Sequence, residues 1–562
     1  MKSALKSLSV LATGLMILAA TGCSSGGDSE KALPEPPPPP GQVDTTPREP
    51  EPTVLFLYFV ADIYDQTDPS QPLKTWVYQY NPSNRQAKSN ERSPVELLRP
   101  PVALAPGRLS HSFTAMRENN RFWNLAPDAG SFTPLTNFNE TICPLPTSNP
   151  LRATGTYLTG IGREQAGLYV RTPGENEICD ATDDQFWAIP LTAPSSSVPE
   201  SVPKAVALGQ ALLDHELNLH GFIYATAGEP IQILDQHQQP VSQVASVADG
   251  PVLLHQSYDA DQSVLVIGTK VYLVETSKLR EPDFILPAAV LTLSAPEMAA
   301  NIRFDQDGFY VIDGLHLKTV DYASKTMFVL WDASSESLTK ISFGNPAKRH
   351  SHVFTANHVL LLGESNAGQH LLAVNKAAGA SSVTWLADQV TDEYLATESY
   401  LYFSKTTPPG EGETAEALVY QEINGHFEPT DYGHETARWH FYPNGSEYRA
   451  FLIQSNEYQD GFFIRPQFEI YQPNKPEAPE DRLAVLNENR GFRVAELGHG
   501  EGRNLLMTLD FRRDSERGRN LYHIAPRGQY TQVSPVTTLS FSPVICPRID
   551  FDQPSSYCGN LD

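Results

Sequence analysis

The chain has 562 residues, with 41 Lys and Arg against 66 Asp and Glu, a formal net charge of −25 at pH 7. It is long enough for one large core or two, and its acidity argues against a nucleic-acid partner, whose phosphates it would repel, and against electrostatic docking on anionic lipid. After residue 22 no apolar run reaches the roughly 20 residues that a membrane-spanning helix needs.

Residues 1–22 carry Lys2 and Lys6 in a short basic start, then an apolar stretch from Leu8 to Ala20 broken only by Ser9, Thr13 and Gly14. That stretch is too short to span a bilayer and fits a secretory signal peptide. Ala20-Thr21-Gly22-Cys23 resembles the lipobox of bacterial lipoproteins, with Ala20 where the family usually has Leu. The resemblance implies cleavage before Cys23, acylation of that cysteine and a membrane partner held through lipid. Two or more acyl chains anchor a protein stably. Ser24 after the cysteine implies the outer membrane of the cell envelope, with the periplasmic or surface face left open.

Cleavage would leave 540 residues with 39 basic and 66 acidic side chains. Residues 23–53 have no apolar periodicity and are expected to form a flexible, disordered tether. Nine of the nineteen residues from Pro34 to Pro52 are proline. Such a run favours extended polyproline II, at about 3.1 Å per residue a spacer of roughly 60 Å.

From residue 54 to 562 the sequence reads as short β-rich runs between Gly, Pro, Asn and Asp. Val54–Val60, Trp76–Tyr80, Ser263–Ile267, Phe309–Ile312, Val359–Leu362 and Tyr400–Phe403 are typical. Lys204 to Leu219 is the best candidate for a helix. A glycine leading three apolar residues recurs at Gly167, Gly221, Gly308 and Gly461, separated by 54, 87 and 153 residues, near one, two and three units of about 50. SHSFTA at Ser110–Ala115 and SHVFTA at Ser351–Ala356 are a further, short match. Asn301–Phe343, Ser351–Leu386 and Glu393–Thr430 each hold several strand runs. This all-β pattern resembles a β-propeller of roughly 7–10 units, in one domain or two sub-domains, where common propellers have up to about eight blades. A β-sandwich array or a β-helix is the alternative. Trp331-Asp332 is a lone dipeptide without a repeated setting.

Beyond Cys23 the cysteines are Cys143, Cys179, Cys546 and Cys558. In an exported chain an even number implies two disulfides, with three possible pairings. Neighbour pairing, Cys143 with Cys179 and Cys546 with Cys558, is the simplest. No CxxC spacing supports zinc.

Candidate sites are few. His350 and His352, two apart in a predicted strand, fall on one side of a sheet and could share a metal, with His358 after the next turn. No carboxylate stands at ligand spacing, so polar blade-edge histidines are the simpler reading. His426, His434 and His440, with Asp431, Glu435 and Arg438, form the best polar cluster for binding, in a stretch between two units. The histidines of Asp214-His-Glu-Leu-Asn-Leu-His220 are five apart and miss the zinc-protease spacing. Asp180, Asp183 and Asp184, and Asp305 with Asp307, offer carboxylates for calcium without the distal Glu of a calcium loop. In Gly363-Glu-Ser365-Asn-Ala-Gly368 the second glycine is one residue too far for a nucleophile elbow.

No catalytic residue is identified and no cofactor is expected. The reading is an envelope lipoprotein whose propeller is a non-enzymatic binding or scaffold module for protein or polysaccharide. The alternative is a propeller hydrolase or lyase acting on an envelope or extracellular carbohydrate, with residues drawn from separate blades.

Overall fold

The computed structural model describes strands from Leu57 to Phe541. Residues 1–56 and 542–562 lie outside the described residues, as do several internal segments, 191–205 and 345–351 among them. Cys23, the 1–22 and 23–53 segments, Cys546, Cys558 and His350 therefore fall outside the description.

Ten antiparallel sheets follow one another in chain order among the described residues. Most are four-stranded meanders, as in sheet 6, with Ile302–Phe304, Gly308–Asp313, His316–Asp321 and Met327–Asp332. The C-terminal strand Ser540–Phe541 pairs with the first strand, Leu57–Tyr64, so sheet 1 is built from both ends of the domain.

Successive sheets share their cores. In Gln262–Ile267 of sheet 5, Leu265 and Ile267 pack with Ile223, Ile231 and Ile233 of sheet 4. Val264 and Val266, on the opposite face, pack with Phe309 and Val311 of sheet 6. Phe309 and Val311 are in turn opposite Tyr310 and Ile312, which join the core shared with sheets 7 and 8. Further shared cores join sheet 8 to sheet 9 and sheet 9 to sheet 10. Four-stranded meanders stacked face to face, with the last strand returned to the first sheet, make a β-propeller, and each sheet is a blade. Burial on both faces explains why these strands read as unbroken apolar runs.

The first strands of neighbouring blades lie against one another, Val390–Ala396 against Ala437–Asn444 and the latter against Gly491–His499. First strands thus form the inner edges. A meander also sorts its turns: those between strands one and two, and three and four, fall at one end. The turn between strands two and three, and the link to the next blade, fall at the other, here called the linker end.

Three expectations are corrected. The candidate helix Lys204–Leu219 is replaced by two strands over its described residues: Val206–Gln210 closes sheet 3 and Leu212–Asn218 opens sheet 4. The last strand run of Asn301–Phe343, Lys340–Ser342, belongs to sheet 7. Of the four glycine-led segments, those at Gly167, Gly221 and Gly308 fall in second strands, whereas Gly461 precedes Phe462–Ile464 in an inserted hairpin. Gly308 is required for space: a Cβ there would lie 2.3 Å from the Val320 carbonyl oxygen.

Cys143 and Cys179 are joined by a disulfide. Cys143 is buried and its amide donates to the Arg171 carbonyl at 2.7 Å, so the bridge ties the lead-in of sheet 3 to the loop after its second strand.

Phe309 is fully buried between two blades, whereas Phe328 on an outer strand is 40% exposed. Phe309→Ala should therefore destabilise the domain by about 3–5 kcal/mol, read as a fall in melting temperature by calorimetry. Phe328→Ala should leave the transition nearly unmoved.

Candidate functional site

At the linker end, blades 8 to 10 bring polar side chains onto their inner edges. Asp392 and Glu393 come from the first strand of sheet 8, Arg438 and His440 from that of sheet 9. The His440 Nδ1 lies 3.1 Å from Glu393 Oε2, with both side chains largely buried. The Arg438 Nη2 lies 3.9 Å from Asp392 Oδ1. The His440–Glu393 pair is sheltered enough that a charge there must be paired to be tolerated, whereas Asp392 is exposed.

An insertion enlarges this edge. Between its second and third strands, sheet 9 sends out the hairpin Tyr458–Gln459 and Phe462–Ile464. That hairpin pairs with the start of Gly491–His499, the inner strand of sheet 10, through Phe463 opposite Phe492. Asp460 at its tip and Gly461 both have positive φ, 52° and 83°, so the tight turn holds one non-glycine residue in the left-handed region. Phe463 is buried as an anchor, while Phe462 and Ile464 are half-buried.

The hairpin carries its own charges into the cluster. Arg512 Nη1 binds Asp460 Oδ2 at 2.6 Å, and Arg493 Nη2 binds Asp510 Oδ2 at 2.7 Å. The Arg493 guanidinium stands 5.3 Å over the Phe462 ring, a cation–π contact. Burial pushes the Tyr458 phenol above its ordinary range; Arg438 and Arg493 pull it back, and Glu413 adds to the rise. Two buried atoms here, Glu413 Oε2 and Arg438 Nε, make no hydrogen bond within the protein. The arrangement offers aromatic surface with hydrogen-bonding groups of both signs.

Of the three histidines expected to cluster, the structure brings two near this edge. His440 is the buried partner of Glu393. His434, in the link from sheet 8 to sheet 9, packs against Trp439 and Tyr471. Burial lowers its pKa, against a smaller opposing pull from Glu469. Glu469 is itself buried and accepts from Tyr471, Gln467 and Arg482. His426 is exposed on the outer strand His426–Pro429, at the other end of blade 8. Tyr458, Arg493 and Glu413 carried no sequence signal: they approach only because the hairpin crosses from one blade to the next.

The other expected sites resolve differently. His352 lies in no strand; it is exposed and stands edge-on to Tyr448 at 4.8 Å. Among the described residues no group of three His, Cys, Asp or Glu side chains could hold a metal. Asp184 pairs with Arg171 at 3.0 Å, and Asp305 with Lys376 of the next blade at 2.6 Å.

His358, at the opposite end, has an electrostatic task. Its Nδ1 lies 2.9 Å from Oε1 of Glu422, which also accepts from Asn357 Nδ2 at 2.9 Å. This ties blade 7 to blade 8. Burial alone would raise the Glu422 pKa, but hydrogen bonds from His358, Thr355 and Asn357 outweigh it and bring it down to about 2.

No protein-family model and no curated protein sequence matches the chain. Among solved structures, a eukaryotic initiation factor has a TM-score of 0.39 at 9% identity, covering 88% of this chain and 99% of its own. BamB from Moraxella catarrhalis has a TM-score of 0.29 at 11% identity, covering 63% of this chain and 93% of its own. An oligogalacturonate lyase from Vibrio parahaemolyticus has a TM-score of 0.27 at 11% identity, covering 52% and 80%. At these identities and scores the likenesses carry no inference about activity or partner.

The Glu422 tie makes an acid-stability prediction. Its folded pKa lies below the ordinary 4.5, so its contribution is present above about pH 4.5 and lost as pH falls toward 2. The amount is roughly 3 kcal/mol. Denaturant titrations across that window should show a shallower loss of stability for Glu422→Gln than for wild type; parallel curves would refute the assignment.

Proposed function

We propose that this protein is a lipid-anchored lipoprotein of the cell envelope whose propeller binds a protein partner at the linker end of blades 8 to 10. The carrying observation is the hairpin Tyr458–Ile464, which leaves its own sheet to extend the inner edge of the next. It gathers Tyr458, Phe462, Arg438 and Arg493, the aromatic and guanidinium side chains that dominate protein recognition. The mixed charges nearby favour a protein surface over a uniformly charged polymer. The lipobox-like Cys23 and the proline-rich spacer support presentation of the propeller away from a membrane, at the outer membrane.

Affinity capture of the full lipoprotein from envelope extract, after cross-linking, tests the binding reading. Arg493→Ala combined with Tyr458→Ala should reduce recovery of the captured protein about tenfold or more, with the domain still folded by calorimetry at the capture temperature. Equal recovery would move the interface elsewhere. The anchor is tested separately: Cys23→Ala should abolish acyl labelling and detergent partitioning, and wild type that takes up no lipid would end that part of the reading.

A further inference from the structure

Blade 7 places a hydroxyl, an imidazole and a carboxylate in series at its linker end. Ser365 ends the second strand, His358–Ser365; His370 lies near the start of the third, Gly368–Asn375; Asp388 ends the fourth, Val383–Asp388. The register sets His370 directly across from Asp388, with Ser365 opposite Gly368 at the turn. Ser365 Oγ stands 2.7 Å from His370 Nε2, and His370 Nδ1 stands 2.7 Å from Asp388 Oδ1.

The order of atoms matters more than the residue types. A carboxylate at Nδ1 holds the proton on that nitrogen and leaves the Nε2 lone pair facing the serine hydroxyl. This is the tautomer a general base needs. The imidazole is fixed by burial, its side chain 9% exposed, and by the Trp385 ring standing edge-on at 5.0 Å. Ser365 is only half-buried and Trp385 is 42% exposed, so substrate can approach from solvent along an aromatic surface. The Ala367 amide donates to Ser365 Oγ at 3.0 Å and holds the hydroxyl oxygen over the turn. Two backbone positions frame the relay: Gly368 has φ 120°, and Gln389, directly after Asp388, has φ 56°. A non-glycine residue held in the left-handed region carries strain of the kind found at functional sites.

We propose that Ser365 is a nucleophile for acyl transfer, with His370 as its general base and Asp388 as a positioning residue, and that the substrate class is an accessible carboxylic ester. The Ser365 Oγ lone pair attacks the carbonyl carbon while its proton passes to His370 Nε2, and the carbonyl electron pair moves onto oxygen. Collapse of that intermediate breaks the ester C–O bond. The leaving alkoxide takes the proton from Nε2 and departs as an alcohol, leaving an acyl-serine. Water then attacks the acyl carbon, giving its proton to the same nitrogen. Collapse releases the carboxylic acid and returns the proton to Ser365. This activity lies outside the binding site proposed above and stands or falls independently of it.

A fluorophosphonate probe on the full chain, with peptide mapping by mass spectrometry, tests the proposal directly. The expected result is a single covalent adduct on Ser365, lost in Ser365→Ala, together with hydrolysis of p-nitrophenyl acetate. His370→Gln should reduce both by about 100-fold or more. Asp388→Asn should lower kcat for the ester with little change in KM, which loss of a merely structural bond would not produce. Folded wild-type protein that leaves Ser365 unmodified would overturn the proposal without reference to any variant. So would labelling undiminished in His370→Gln, and in either case the relay would be a hydrogen-bonded pin between three strands.

Discussion

Burial of the central strands on both faces is the constraint from which the rest follows. Residue by residue, Gln262–Ile267 turns Leu265 and Ile267 to one neighbour and Val264 and Val266 to the other. A sheet of this kind cannot bury either face alone, so each blade needs a blade on both sides. Pairing of Ser540–Phe541 with Leu57–Tyr64 joins the two ends of the series in one sheet. A buried hydroxyl in these layers can be satisfied by main-chain carbonyls. Tyr394 is buried among blades 6 to 8, yet its hydroxyl donates to the Leu360 carbonyl at 2.7 Å, with the Phe343 carbonyl 3.1 Å away as the alternative acceptor.

The same constraint decides what the sequence could disclose. Unbroken runs such as Gly308–Asp313 are legible because two-sided burial demands apolar residues at every step. The run at Lys204–Leu219 misleads because it crosses a blade boundary: Gly209, with φ 147°, lies one residue before the end of its strand, and the next strand belongs to another sheet. Glycine-led segments mark second strands at Gly167, Gly221 and Gly308, but Gly461 serves a hairpin turn with the same local chemistry. Four residues cannot tell these uses apart. The match of SHSFTA with SHVFTA dissolves for a related reason. Phe113–Met116 is a strand, whereas Phe354 makes only an isolated bridge.

Functional geometry was less legible than fold. His434 and His440 were visible as a polar cluster, but their partners Tyr471 and Glu393 lie 37 and 47 residues away. The relay at Ser365 draws on residues five and eighteen positions apart, on three strands. No local motif encodes such a set, because antiparallel register brings strand ends together whatever the length of the connecting turn.

Packing also explains where the chemistry sits. Interiors of the central strands are committed to neighbouring blades, so reactive or charged groups must lie at strand ends, on inner edges or in inserted loops. Ser365 and Asp388 end their strands, and the Tyr458–Ile464 hairpin is an insertion. Within strands, Glu393 and His440 face one another between two blades, and the buried Glu469 is met by Tyr471, Gln467 and Arg482. Arg438 is less fully satisfied: its Nη2 approaches Asp392 at 3.9 Å while its Nε makes no hydrogen bond within the protein. A sheltered guanidinium held only loosely by its own chain can form a stronger, charge-assisted bond to an incoming carboxylate or carbonyl. The inner edge of blades 8 to 10 thus combines ladder-paired backbone with side-chain atoms whose hydrogen bonding is incomplete, which is what the proposed binding there draws on.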